Sequence, residues 1–283
     1  PPLGADALLV RSPGLLHTLA ALKEREAAAT AATAAAATAA AAFVPSGGEN
    51  AADGTLPVPE LRGDFSLNAA NALTASLFLG MGVERLVPTH DLSGRQIVAL
   101  AEALGDSIAP RLEVILHQHL PVFHTEHCVF CRFLSDGNSY KDCGKPCESH
   151  TVHLRDSGGR DHLVLADDGC RNTVFSAQAQ SALQFVPRLR RAGIRHFRVE
   201  LVDEPASQVA PLLEAYALAV AEPAQTRTVW QSLKQIPDAN GNAQGVTLGS
   251  LKGTGAQLRM DMKPTKASGK TSYRPDYLGT DDW

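Results

Sequence analysis

Residues 113–172 carry all five cysteines of the chain and seven of its ten histidines. The cysteines are Cys128, Cys131, Cys143, Cys147 and Cys170, and the histidines are His117, His119, His124, His127, His150, His153 and His162. Thiolate and imidazole are the ligands that borderline and soft metals select. An odd, clustered set of cysteines does not make a secreted disulfide framework. The segment therefore reads as a metal or iron–sulfur site. Clustered thiols of this kind belong in a reducing compartment, cytoplasmic or organellar, in a protein that is not secreted.

On either side of this segment the hydrophobic pattern alternates between strands and helices. Residues 5–12 read as a strand, and 14–26 as a helix with Leu15, Leu19 and Leu22 on one face. Residues 27–42 are thirteen alanines and three threonines, and 43–60 turn rich in Gly, Pro and Asp. Alanine favours helix but offers no bulk to pack, so 27–60 reads as a low-complexity insertion, partly disordered, whose alanine tract can extend the helix before it. Strands follow at 61–67, 83–89 and 111–117. The helices between them are 68–82, with Asn68 as its cap, and 91–105. Beyond the cysteine segment, 172–178 and 194–202 read as strands, and 181–193 and 205–221 as helices. Within the segment, 149–156 and 162–167 form a hairpin around Ser157-Gly158-Gly159.

Repeated βα steps imply a parallel sheet. The expected fold is α/β and TIM-barrel-like, with a Cys-rich hairpin insertion; a doubly wound open sheet is the alternative, but no Gly-rich phosphate loop follows a strand. The expected divisions are an early βα unit at 1–26, the low-complexity insertion at 27–60, a barrel-like core at 61–222 with its insertion at 118–171, and a mostly irregular tail at 223–283. A formal charge of −4 argues against bulk electrostatic attraction to nucleic acid. The alanine tract is too weakly apolar to span a membrane, so no membrane partner is expected.

The cysteine spacing is C-x2-C, eleven residues, C-x3-C, then twenty-two residues and the last cysteine. Four thiolates can hold a tetrahedral zinc or an iron–sulfur cluster, and spacing alone leaves both open. Gly144 and Pro146 set a tight turn that can aim Cys143 and Cys147 the same way. His124, Glu126 and His127 form H-T-E-H, which lacks the helical H-E-x-x-H spacing of zinc proteases. His117 and His119 share one face of a strand, at the rim where barrel enzymes carry their chemistry. Arg155, Asp156, Asp168, Arg171 and Asn172 lie beside the last cysteine. They suit a polar substrate, or they pair with one another across the hairpin.

The stretches FHTEHCVFCRFLS, DCGKPCESHTVHLRD and ADDGCRNTVF, followed by QSALQFVPRLRRAGIRHFRVEL, resemble the collagenase-like peptidase family U-32. GVTLGSL at 245–251 resembles a short downstream motif of the same family. The resemblance implies a barrel-type fold, and the chain lacks the early barrel strands that members carry before the part matched by 5–22, so the barrel is expected to be incomplete at its N-terminal end. It also implies that Cys128, Cys143, Cys147 and Cys170 hold a [4Fe–4S] cluster, with zinc as the alternative metal and Cys131 as a bystander. It implies hydroxylation chemistry on RNA bases or ubiquinone precursors. An RNA substrate is then expected near His117, His119, His124, Glu126 and His127 as catalytic groups. Collagenase-like proteolysis, as in the family name, and a non-catalytic truncated member are the alternatives.

Overall fold

The computed structural model describes residues 5–40, 58–167, 169–202, 204–236 and 245–253. Asp168 and the tail beyond Gly253, with its basic residues from Arg259 on, lie outside the described residues. The chain divides into two compact units. One comprises 1–92, 96–114 and 191–196; the other comprises 93–95, 115–190 and 197–283.

The first unit begins with strand β1 (Ala7–Val10) and helix α1 (Pro13–Ala40). The helix runs into the alanine tract, as alanine's propensity dictates. Its buried side is not the expected one: Leu16 is fully buried, while Leu15 and Leu22 are exposed. Glu26, further along the helix, accepts the backbone N–H of Val58 at 3.1 Å. Strands β2 (Glu60–Gly63) and β3 (Val83–Leu86) follow, and β1-β2-β3 form a parallel sheet in chain order. Helix α2 (Ala72–Gly80) is capped by Asn71, whose side chain accepts from Thr74 N at 3.0 Å. Asn68, the expected cap, instead takes the left-handed conformation after a short 3-10 turn. Helix α3 (Gly94–Leu104) buries Ile97, Leu100, Ala101 and Leu104, the i, i+3, i+4, i+7 stripe of an amphipathic helix.

Strand β4 (Glu113–Gln118) is buried along its whole length. It is followed by β5 (Pro121–Thr125), the six-residue helix α4 (Val129–Leu134), β6 (Val152–Arg155), β7 (Asp161–Ala166), β8 (Asn172–Phe175) and β9 (Ala179–Ser181). Helix α5 (Val186–Arg191), strand β10 (His196–Val199), helices α6 (Ala206–Ala221) and α7 (Thr226–Leu233) and strand β11 (Val246–Thr247) complete the order.

These strands make two four-stranded sheets, β10-β4-β9-β11 and β5-β8-β7-β6. The α/β class holds. The described strands do not make a closed barrel, however; they make three separate sheets. One physical reason lies at 172–181. The expected strand 172–178 ends at Phe175, where β8 joins an antiparallel sheet against β5 and β7, and a separate strand, β9, begins at Ala179 and runs antiparallel to β4. The hairpin expected around Ser157-Gly158-Gly159 is present as β6–β7, with Arg155 opposite Asp161.

The β5-β8-β7-β6 sheet carries its own small core. Phe130 of α4 packs with Val164 and Val174, and Cys128, Val129, Val152 and Ala166 close around them. Burying a ring such as Phe130 stabilises by about 1.5–3 kcal/mol. That contact fixes the helix bearing Cys131 to the sheet bearing Asn172. The GVTLGSL segment supplies β11, parallel to β9. Gln180 Oε1 accepts from Ser250 N at 2.7 Å and Ser250 Oγ at 2.9 Å. At Gly249, whose φ is 50°, a Cβ would lie 2.4 Å from Gln180 Oε1 and would displace the amide that Ser250 donates to.

Candidate functional site

All five cysteines are free thiols and line one cavity of about 970 Å³. Each arrives by a different local device. At the end of β5 the Thr125 hydroxyl accepts the His127 N–H at 2.9 Å, and this turn sets Cys128 at the N-cap of α4. Cys128 does not cap with its own side chain. Asn172 does it instead: its Oδ1 accepts Val129 N–H at 2.6 Å, and its Nδ2 donates to Cys128 Sγ at 3.8 Å. Asn172 is fully buried. Its amide serves the cysteine and the helix start, rather than facing solvent as a substrate-binding group would.

Cys143 and Cys147 sit on a tight turn in which Gly144 and Lys145 both have positive φ. Pro146 starts a short 3-10 turn, and Lys145 N–H donates to Cys143 Sγ at 3.4 Å. The loop before it is held by Asp142, whose Oδ1 accepts Asn138 N–H at 3.1 Å and Ser139 N–H at 2.7 Å. The Ser139 N–H is the largest cause holding the Asp142 carboxyl below the usual range. Cys131 Sγ donates to Gly137 O at 3.4 Å. Burial pushes the Cys131 thiol up, and the neighbouring Cys143 and Cys128 push it further. Cys170 is raised first by burial and then by Cys128, Cys143 and Cys147. Crowded thiols oppose one another's ionisation, and a bound cation or cluster relieves that opposition.

The expected polar residues around Cys170 are mostly committed to the hairpins. Arg155 makes a two-pronged pair with Asp161, both contacts at 2.7 Å. Asp156 accepts from Gly158 N and Arg160 N and lies 3.3 Å from His162 Nε2. Arg171 pairs with Asp167 at 2.9 Å. These pairings cross the hairpins but join Arg155 and Arg171 to Asp161 and Asp167, not to the expected partners, and they leave the guanidinium groups exposed.

The expected catalytic residues fall in three places. Glu126 and His127 line the thiol cavity. His124 is on β5, where its Nδ1 meets the Thr173 hydroxyl at 2.8 Å. His117 and His119 meet elsewhere, around Glu204, a residue that sequence reasoning did not single out. His117 Nε2 is 2.7 Å and His119 Nε2 3.1 Å from the same oxygen, Glu204 Oε1. The other carboxylate oxygen accepts Val202 N–H at 2.7 Å. His117 Nδ1 is 3.0 Å from Tyr216 Oη, which donates to Ser181 Oγ at 2.7 Å. His119 Nδ1 is 2.7 Å from Ser176 O. His117, Tyr216 and Glu204 are nearly solvent-free. Burial raises the Glu204 carboxyl, but His117, His119 and the Val202 N–H outweigh it and hold it well below the usual range. Burial pushes the Tyr216 hydroxyl up. The one sequence signal for Glu204 was its place after a strand, just before Pro205 opens α6, where α/β enzymes carry functional groups.

A βα-built unit and a second unit with a thiol-lined cavity and an antiparallel sheet make up a mixed α/β protein. The model of Peptidase family U32 matches residues 50–243, and the chain belongs to that family. No curated protein and no solved structure matches the chain. No helix among the described residues is long and apolar enough to cross a membrane.

Proposed function

We propose that the chain is an iron–sulfur protein of the U32 family that acts in hydroxylation of RNA bases, with Cys128, Cys143, Cys147 and Cys170 holding a [4Fe–4S] cluster. The observation that carries this reading is the convergence of those thiols on one cavity, with the Asn172 amide and the Lys145 N–H aimed at sulfur. Such N–H···S contacts stabilise thiolate ligands and tune a cluster. Cys131 donates its proton to a carbonyl, which suits a bystander thiol rather than a thiolate ligand. A cluster bound there supplies one-electron chemistry at the cavity. Zinc is the alternative metal for the same thiols, but a cavity of about 970 Å³ is larger than a closed four-ligand zinc site needs.

The RNA half of the reading rests on the cavity rim. Tyr140 is two-thirds exposed, and Lys141 Nζ lies 5.7 Å from its ring centroid. Arg132 and Lys145 line the same cavity. A stackable ring beside cations suits an unpaired base and its phosphates. Glu126 and His127 line the same cavity, and on this reading they orient such a base and exchange protons with it. The proteolytic reading has less support: H-T-E-H runs from strand β5 into a turn, so its imidazoles do not share a helical face.

The test is anaerobic reconstitution with iron and sulfide, followed by nucleoside mass spectrometry of RNA from cells with and without the gene. The expected result is broad visible absorption lost in Cys143→Ser, and a nucleoside carrying one extra oxygen that disappears with the gene. One equivalent of zinc with no labile sulfide would sink the cluster. An unchanged nucleoside profile would sink the RNA assignment.

A further inference from the structure

We infer that His117, His119 and Glu204 form a second metal site, separate from the cysteines, for a divalent first-row transition ion. Their ligand atoms all lie within 4.8 Å of one another, and they are the one such group of His, Cys, Asp and Glu among the described residues.

Three features of the geometry carry this. First, the ring nitrogens are sorted. Ser176 O can only accept, so His119 Nδ1 is its donor. Tyr216 donates to Ser181, so its oxygen accepts from His117 Nδ1–H. Nδ1–H is committed outward on both rings, so each Nε2 faces Glu204 Oε1 and can give up its proton there to bind an ion. This is the outer support that metal-binding histidines require, with the tautomer fixed by a carbonyl on one ring and a hydroxyl on the other.

Second, the carboxylate is oriented. Val202 N–H holds Oε2, which leaves Oε1 toward both imidazoles. Third, the three groups are already close: Glu204 Oε1 is 2.7 Å from His117 Nε2 and 3.1 Å from His119 Nε2, hydrogen-bond distances that need to open only slightly to reach the ligand–ligand edges of about 3.0–3.4 Å around an ion with bonds of about 2.1 Å. Two histidines and one carboxylate are a ligand set that iron(II) and zinc accept. Strand pairing builds the pocket: β4 places His117 opposite Ser181 of β9, and the Glu200 N–H donates to His117 O at 2.9 Å, bringing the chain that leads to Glu204 alongside.

The test uses the full chain after cluster reconstitution, so that thiolates are already occupied, and Co(II) as the probe. The expected result is one further equivalent of Co(II), with visible bands of nitrogen and oxygen ligation and no sulfur-to-cobalt charge transfer. Glu204→Gln and His119→Ala should each lower that affinity at least 100-fold while keeping labile sulfide and cluster absorption. Retention of the extra equivalent in Glu204→Gln would overturn the site. If those variants fail to fold, X-ray absorption of zinc bound to the wild-type chain decides: imidazole scattering supports the site, and an all-sulfur shell overturns it. The same titration on a Cys128→Ser, Cys143→Ser chain separates the two readings. Nitrogen-ligated cobalt there stands even if no cluster ever forms, and its absence defeats the site whatever the cysteines hold.

Discussion

Cys170 occupies the same position in its turn that Gly159 occupies in the turn before it. In the first, Asp156 accepts N–H bonds from Gly158 and Arg160 through Oδ1, and Gly159 N donates to Asp156 O. In the second, Asp167 accepts from Gly169 and Arg171 through Oδ1, and Cys170 N donates to Asp167 O. Gly159 has φ 81° and Cys170 φ 57°. Both are three-residue hairpin loops ending in a left-handed residue, a position that favours glycine.

A cysteine there is strained by about 1–2 kcal/mol relative to glycine. The strain has a return, because it turns the thiol into the cavity shared with Cys128, Cys143 and Cys147. Cys170→Gly is therefore expected to stabilise the metal-free chain by about 1 kcal/mol while abolishing cluster assembly. Gly159→Ala should destabilise by a similar amount and leave assembly intact. Urea unfolding of the metal-free chains, beside sulfide analysis after reconstitution, checks both. A Cys170→Gly chain that is less stable than wild type would mean the thiol makes contacts that outweigh the backbone.

Asn172 joins α4 to the sheet and to Cys128 sulfur through one buried amide. Asn172→Ala removes a helix cap and leaves buried groups without their partner, which costs about 1–3 kcal/mol. Asn172→Asp keeps the cap acceptor but loses the N–H donated to sulfur and adds a negative charge beside it. That variant should fold, yet assemble less cluster or hold it at a lower potential. Circular dichroism with redox titration separates the two substitutions.

The sequence and the structure agree where an element is set by near neighbours, and part where the chain's partners are distant in sequence. Helix α3 and the β6–β7 hairpin were legible because each is set by neighbours within a few residues, whereas the face α1 buries, Leu16 rather than Leu15 and Leu22, was not. The cap of α2 was misplaced by three positions, since Asn68 and Asn71 carry identical chemistry and only the backbone decides which one caps. The division of 172–181 into strands of two sheets depends on pairing with β5 and β4, and no local period records that. The thiols were legible as a cluster of residue types, although the amide that supports Cys128 was read as a substrate group. Glu204 was passed over: its place after a strand was the one local signal, and its partner His117 is 87 residues away.

Gly137 closes the loop that carries Cys143. A Cβ there would lie 2.4 Å from Asp142 O and 2.7 Å from Cys143 Cα, both backbone atoms that cannot swing aside. Gly137→Ala must therefore open the 137–143 loop and displace Cys143 and the Cys131 contact to Gly137 O. The expected outcome is a folded chain with a sharply reduced yield of reconstituted cluster. Full sulfide incorporation would show that the loop yields without moving the thiol.

The paired turns also set a pH dependence. The Arg160 backbone N–H is the main cause holding Asp156 below the usual aspartate range, with partial burial opposing and His162 and the Gly158 N–H assisting. For Asp167 burial acts upward and is outweighed by the backbone N–H and guanidinium of Arg171. Each folded value lies below the unfolded one of about 3.9, so in the interval between them the unfolded chain binds more protons. The stabilisation is complete above about pH 5 and is lost as pH falls below about 4 through the folded values. The urea midpoint of the metal-free chain should fall in that acid interval. Asp156→Asn with Asp167→Asn should flatten the fall while keeping the turns, since an amide oxygen still accepts the same N–H groups. An equally steep fall in the double variant would place the acid sensitivity outside these turns. The two single variants should differ in one respect. Only the Asp167 turn carries a cysteine, so acid loosening at Asp167, and not at Asp156, should expose Cys170 to a thiol reagent before the chain unfolds.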